Sequence, residues 1–254
     1  MTRSVITVVA GPPGVGKTTW IRQQMAQSHK QGLYFSPATD SVPIDQTRLA
    51  IEVPEVKILF DSHQFQLLAL KDEISAYIEL GFHLDLAAIG ELLDPLSYHC
   101  VAIVPPVPKN SEWHQWADQL VVGVPSFVEF AAPQMWRSRL TGQVIDTDSL
   151  EVFWYELTQG AYGAVKRAKG IFDVADGRLV YADFVDGLPE RDFEQLNVSR
   201  HLEGQPQRFS GVEVVGENLD ESAIAQTLFD CCLSEAAIQH YQQQIKQELA
   251  EANL

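Results

Sequence analysis

Two domains are expected from this chain: an α/β domain on a mainly parallel sheet over residues 1–155, then a smaller α+β domain over residues 156–254. Short β-branched runs alternate with helix-like stretches through the first half, the pattern of a parallel sheet covered on both faces. The first apolar run breaks into a glycine loop, GPPGVGKT at residues 11–18, and a helical pattern follows at once. Past residue 155 the texture turns to hairpin chemistry, with Asp176-Gly177 as a tight-turn pair between two β-rich runs.

The elements follow in order. Residues 4–10 are dense in β-branched side chains and predict a buried strand, and Ile21 and Met25 mark a helix over residues 17–28. Residues 32–36 (GLYFS) and 56–60 (VKILF) read as strands lying beside the first, separated by the polar loop SPATDSVPID. Residues 64–93 are helical in character with a break at Gly81; residues 100–104 (CVAIV) and 119–124 (QLVVGV) read as two more strands. In the second half, residues 164–185 predict a hairpin, 209–216 (FSGVEVVG) a further strand, and 220–231 a helix N-capped by Asp220. The tail places Ile238, Tyr241, Ile245 and Leu249 on one helical stripe, expected to dock on its own domain, with a partner-binding helix as the alternative.

Charge and composition exclude several functions. With 18 basic and 34 acidic side chains the formal charge is −16, so a polyanion is repelled over most of the surface and nucleic acid is not an expected partner. No apolar run reaches the roughly 18 residues of a membrane span, and the apolar stretch within the first ten residues is too short for a signal-peptide core. A soluble, cytoplasmic protein is expected. The 3 cysteines, Cys100 and the pair Cys231-Cys232, make neither a disulfide framework nor a CxxC metal spacing, so reduced structural thiols are expected.

The loop carries the chemistry. Gly11, Gly14, Val15, Gly16, Lys17, Thr18 and Thr19 lie in or just after a G-x-x-x-x-G-K-[ST] pattern, where glycines let backbone N–H groups turn toward phosphate oxygens at a helix N-terminus. Lys17 would reach the β and γ phosphates of GTP or ATP, and the Thr18 hydroxyl would bind Mg²⁺. A hydrolase also needs an acid near that metal. VKILFD supplies Asp61 at a strand end, beside the loop if the two strands are neighbours, so Lys17 and Asp61 are the catalytic candidates and Thr18 and Asp61 the magnesium ligands. A helix N-cap is compatible with Asp61 too. His63 and Gln64 could orient a water or form an ordinary solvated first turn, and Asp40 and Asp45 could approach the γ phosphate as a switch segment or sit in a plain loop.

The segments AVKRAKGIFDVADGRL and QRFSGVEVVGENLDESAIAQTLFDCCL resemble the C-terminal domain of the CobW-like proteins, through Arg167, Lys169 and Gly170 in the first and Gly216, Leu219, Asp220 and Cys231 in the second. The resemblance implies a P-loop GTPase of that class, similar to metallochaperones that couple GTP hydrolysis to delivery of zinc, cobalt or another divalent metal, with a protein client. Three departures accompany it. The C-x-C-C cluster of the family is missing between Asp45 and Asp61, and neither His99-Cys100 nor Cys231-Cys232 has the geometry to replace it, so zinc is unsupported by cysteine spacing. The N-K-x-D guanine reader is missing from WADQLVVGVPSF, which keeps Ala117-Asp118 and the strand but ends on Gly123-Val124-Pro125-Ser126; Asp146 or Asp148 could substitute from a later loop. Asp61-Ser62-His63-Gln64 stands where the family has E-x-x-G.

These readings converge on a slow GTP or ATP hydrolase linked to metal delivery or cofactor assembly. The alternative is a non-hydrolysing, nucleotide-dependent protein-binding module. A small-metabolite kinase shares the loop, but the Arg-rich lid that would close over two substrates is not evident.

Overall fold

The computed structural model of the chain describes residues 5–70, 73–84, 86–93, 96–106, 111–126 and 133–251. Residue 4, where the first strand is expected to start, and residues 252–254 of the expected tail helix lie outside them. The chain forms two compact units, Met1–Val128 and Glu129–Leu254.

The first unit runs β1 (Val5–Ala10), α1 (Lys17–Gln27), β2 (Gln31–Phe35), α2 (Ile44–Glu52), β3 (Lys57–Leu59), a 3-10 helix over Asp61–Ala69, β4 (Ile74–Glu79), α3 (Leu86–Leu93), β5 (Tyr98–Val104), α4 (Glu112–Trp116) and β6 (Gln119–Val122). Its six strands stand in the order β3-β2-β4-β1-β5-β6, and each neighbouring pair is parallel. Alternate residues of each strand go to opposite faces. Val9, Tyr34, Tyr77 and Ile103 pack against Ile21 and Met25 of α1 and Leu49 of α2. On the other face Val8, Leu33, Phe35, Ala76 and Ile78 meet Ile89 and Leu93 of α3. Burying such a side chain fully stabilises by roughly 1.5–3 kcal/mol relative to leaving it exposed.

Two expectations are corrected here. Residues 64–93 are not one helical stretch: the 3-10 helix ends at Ala69, β4 occupies Ile74–Glu79, and only α3 is α-helical. Ala76, Tyr77, Ile78 and Glu79 are all buried, so this central strand lacks the polar-apolar alternation that would have marked it. As a result, neither β2 nor β3 lies beside β1. The strand at 74–79 takes the place next to β1, β2 follows it, and β3 is the sheet edge.

The second unit runs β7 (Gln134–Arg139), α5 (Thr147–Thr158), β8 (Ala164–Asp173), β9 (Leu179–Val185), β10 (Glu194–Gln195), β11 (Gly211–Glu217), α6 (Glu221–Asp230) and α7 (Glu235–Glu251). Its five strands form an antiparallel sheet in the order β10-β9-β8-β11-β7. The hairpin of β8 and β9 turns at Asp176-Gly177 as expected: Gly177 has φ of 82°, and the Asp176 carboxylate accepts from Arg178 N at 3.0 Å. Leu150, Phe153 and Leu157 of α5 and Ile224 and Leu228 of α6 pack with Ala168, Phe172, Val212 and Val214. Gly170 leaves room for this core, since a methyl group on its α-carbon would lie 2.4 Å from the Phe172 ring.

The expected boundary after residue 155 falls earlier, because β7 pairs with β11 and α5 buries its apolar face in the second core. The second unit is therefore almost as long as the first. Asp220 caps α6 through Ala223 N at 3.0 Å. In α7 only Ile238 of the expected stripe is buried; Tyr241 and Leu249 are 37% and 40% exposed. Gln242 is buried instead, its amide exchanging two bonds with the Gly204 backbone at 2.7 and 2.9 Å.

Candidate functional site

β1 delivers the chain into residues 11–16, and α1 begins at Lys17. Gly11, Gly14 and Gly16 have φ of 145°, 75° and 100°. Gly16, the N-cap of α1, needs glycine for its backbone alone, since nothing lies within 4 Å of an added methyl. Gly11 is held by contact as well: a methyl there would meet the Ile103 carbonyl oxygen at 2.2 Å. Val15 anchors the loop from below at 1% exposure, within the cluster that includes Ile21 and Ile103.

Lys17 is 8% exposed and folds across the loop, its ammonium donating to the carbonyls of Gly11 at 3.0 Å and Pro12 at 3.1 Å. Thr18, half-buried on the first turn of α1, directs its hydroxyl at Glu79, 2.9 Å from Oε2 and 3.1 Å from Oε1. Thr19 is exposed on the helix surface.

Glu79 is an acid beside the loop that sequence reasoning did not single out. It ends β4, in register with Val9 of β1, so its strand delivers a carboxylate to the foot of the loop. It is 6% exposed, and it also accepts from the Tyr34 hydroxyl at 2.9 Å, while its backbone carbonyl accepts from Ser36 Oγ at 3.1 Å. Burial, then the charges of Glu79 and Asp45, push the Tyr34 phenol well above its ordinary range, so it stays a donor. The signal available in the sequence was Glu79-Leu80-Gly81, an acid and a nearby glycine, but it was hidden inside a stretch read as helical.

Asp61 does not reach the loop. It lies past the edge strand β3, with β2 and β4 between that strand and β1. Its carboxylate instead accepts from Ala38 N at 3.1 and 3.2 Å, and its own N–H donates to Asp40 Oδ2 at 2.9 Å. Ala38 is in the left-handed region, with φ of 60°, so Asp61 pins a strained residue of the SPATDSVPID segment. His63 and Gln64 are exposed on the same edge. Asp40 is spent on Asp61 N, whereas Asp45 opens α2 close enough to raise the Tyr34 pKa.

The segment after β6 braces the loop from the other side. Val124 N donates to the Val15 carbonyl at 3.2 Å, and Ser126 Oγ donates to the Pro13 carbonyl. Asp118 ties β6 to β5 through Cys100 N at 2.8 Å. Asp146 is the N-cap of α5, accepting from Ser149 N at 3.0 Å, and Asp148 is exposed in that helix's first turn.

The arrangement can hold polyphosphate and magnesium. A buried ammonium and a glycine loop at a helix N-terminus suit phosphate oxygens, and the Thr18 hydroxyl and Glu79 carboxylate are hard oxygen donors of the kind magnesium takes. Among the described residues, no three His, Cys, Asp or Glu side chains converge as a metal-ligand set. No helix among them is long and apolar enough to cross a membrane. Burial pushes the thiols of Cys100 and Cys232 up to about 11 and raises that of Cys231.

Strand, glycine loop, helix and an acidic strand end next in the sheet define an α/β fold of the P-loop class, followed by a mixed unit on an antiparallel sheet. No family model matches the chain, and no curated protein matches it. Among solved structures it is similar to the Zn(II)-bound YjiA GTPase from E. coli, at 12% identity and a TM-score of 0.33 over 91% of this chain and 99% of that one. A Zn(II)-bound triple mutant of YjiA GTPase matches with the same values, 12% and 0.33 over 91% and 99%.

Proposed function

We propose that this chain binds a nucleoside triphosphate, GTP or ATP, at residues 11–18 with Mg²⁺ held by Thr18 and Glu79, and hydrolyses it slowly. The carrying observation is the Thr18–Glu79 hydrogen bond at the foot of the glycine loop. It joins the two donors that a P-loop protein uses for magnesium, one from the loop helix and one from the neighbouring strand. The metal, when bound, supplies positive charge to the phosphate oxygens. Lys17 does the same from the protein side, its ammonium already turned across the loop. Catalysis at such a site is positioning and electrostatic stabilisation rather than covalent chemistry.

The link to metal delivery or cofactor assembly, and to a protein client, rests on the resemblance of residues 164–179 and 207–233 to the CobW-like C-terminal domain. The structure adds no metal-ligand set to it, since among the described residues no three His, Cys, Asp or Glu side chains converge. Free cysteines, two of them buried, fit a cytoplasmic setting.

The test is thermal stability and turnover of the purified protein with GTP, ATP and their non-hydrolysable analogues, with and without Mg²⁺ and Zn²⁺. A ligand at a hundred times its Kd stabilises the folded state by about 2.7 kcal/mol, a readily measured shift. Stabilisation by a triphosphate, lost in Lys17→Ala, is the expected result; no stabilisation by either nucleotide overturns the reading. Stabilisation without turnover selects the non-hydrolysing binding module.

A further inference from the structure

We infer that Tyr34 is a positioning residue for the magnesium-linked acid: its hydroxyl fixes the Glu79 carboxylate so that the acid and Thr18 can serve one cation. The inference rests on the nucleotide-binding reading above and adds a residue outside the loop and its neighbouring strand end.

The geometry is built into the sheet. Tyr34 of β2 pairs with Tyr77 of β4, and Glu79 lies two residues beyond Tyr77 on the same face. The phenol is 0% exposed and held between α1 and α2 by Ile21, Met25 and Leu49, so the ring has no room to turn away. From there its hydroxyl reaches Oε2 of Glu79 at 2.9 Å, the same oxygen that Thr18 approaches at 2.9 Å.

A glutamate has one more rotatable bond than an aspartate, and holding it in one place costs conformational freedom. A rigid donor on Oε2 removes that freedom before a cation arrives. Ser36, two residues beyond Tyr34, holds the Glu79 backbone carbonyl at 3.1 Å, so side chain and main chain of the acid are both fixed from the end of β2. A buried tyrosine hydroxyl needs some partner; here the partner chosen is the carboxylate that also meets the loop threonine.

The test uses the full chain, fluorescent GTP and ATP analogues, and titration in EDTA and in Mg²⁺. The quantity read is the ratio of the two Kd values. Tyr34→Phe keeps the ring and should leave Kd in EDTA within about twofold while lowering the magnesium-dependent gain by about tenfold, the usual size of an outer-shell effect on metal affinity. In a Glu79→Ala background the same change should have no further effect on the ratio. A core-filling role for the hydroxyl predicts the opposite, an equal effect in both backgrounds. An unchanged ratio in a folded Tyr34→Phe protein, or an equal loss in both backgrounds, overturns the inference while leaving nucleotide binding intact. Failure of the wild-type chain to bind either analogue overturns the nucleotide reading itself and this inference with it. Should Tyr34→Phe not fold, 3-fluorotyrosine incorporated into the wild-type chain replaces it: the Tyr34 ¹⁹F resonance should move when Mg²⁺ is added to nucleotide-bound protein, and a fixed resonance overturns the inference.

Discussion

Gly123 sits against Val15 so closely that a methyl group on its α-carbon would lie 2.3 Å from the Val15 carbonyl oxygen. The residue after β6 therefore sets how near that segment can come to the phosphate loop, and Val124 and Ser126 then bond to the loop's carbonyls. Gly123→Ala should push the two apart, costing about 1–3 kcal/mol of stability by overpacking and weakening nucleotide binding with it. Ser126→Ala removes one donor and should cost less, about 0.5–1.5 kcal/mol. Denaturant unfolding and nucleotide titration of both variants check this; equal affinity for wild type and Gly123→Ala would show that the brace is irrelevant to the site.

Glu79 and Asp61 separate by substitution. Glu79→Gln keeps the size of the side chain but removes its charge and replaces one of the two acceptor oxygens by an NH2 donor. It should reduce the magnesium-dependent gain in nucleotide affinity by tenfold or more, at least the size of an outer-shell effect on metal affinity. Asp61→Asn should leave that gain intact and act on the Ala38 segment, whose N–H it holds. Loss of magnesium dependence in Asp61→Asn instead would return the metal-linked role to the sheet edge.

Much of the first unit was legible because β-branched runs, glycines and a lysine-threonine pair are local signals. The loop itself needed no tertiary information: Gly16 requires glycine for its φ of 100° alone. Strand order was not local. The strand carrying Glu79 is buried on both faces and loses its alternation, so it read as helix, and the metal-linked role went to Asp61 on the next visible strand. The tail failed for a related reason. Tyr241 and Leu249 keep helical spacing but stay exposed, while Gln242, polar in sequence, is buried because the Gly204 backbone satisfies its amide.

The cysteines should behave as core side chains. With Cys100 and Cys232 raised to about 11 by burial, the thiol and not the thiolate is the main form near neutral pH. Cys231 donates to the Thr227 carbonyl at 3.1 Å and Cys232 to that of Leu228 at 3.5 Å. A disulfide reagent should therefore react slowly with the native protein and fully after denaturation, and Cys100→Ser should not alter any zinc binding that titration detects. Rapid native reaction, or zinc affinity lost in Cys100→Ser, would reverse the assignment.

The second unit carries its own acid sensitivity. Glu213 of β11 is paired with Arg137 of β7 at 2.6 Å and Lys169 of β8 at 3.1 Å, and those three residues are direct cross-strand partners. Burial raises its pKa, but Lys169 and then Arg137 outweigh that and bring it down from 4.5 to about 2. An acid depressed on folding stabilises the folded state above its unfolded pKa, and the stabilisation is lost as pH falls through the folded value. The window here runs from 4.5 down to about 2. Glu213→Gln removes the carboxylate that Arg137 and Lys169 share in a half-buried place, for which breaking a buried pair suggests about 3–5 kcal/mol near neutral pH. The stability difference between wild type and variant should be largest at pH 6–7 and shrink steadily below pH 4.5, as wild-type Glu213 itself becomes protonated. Thermal unfolding across that range measures it, and a difference independent of pH would mean that the triad contributes packing rather than charge.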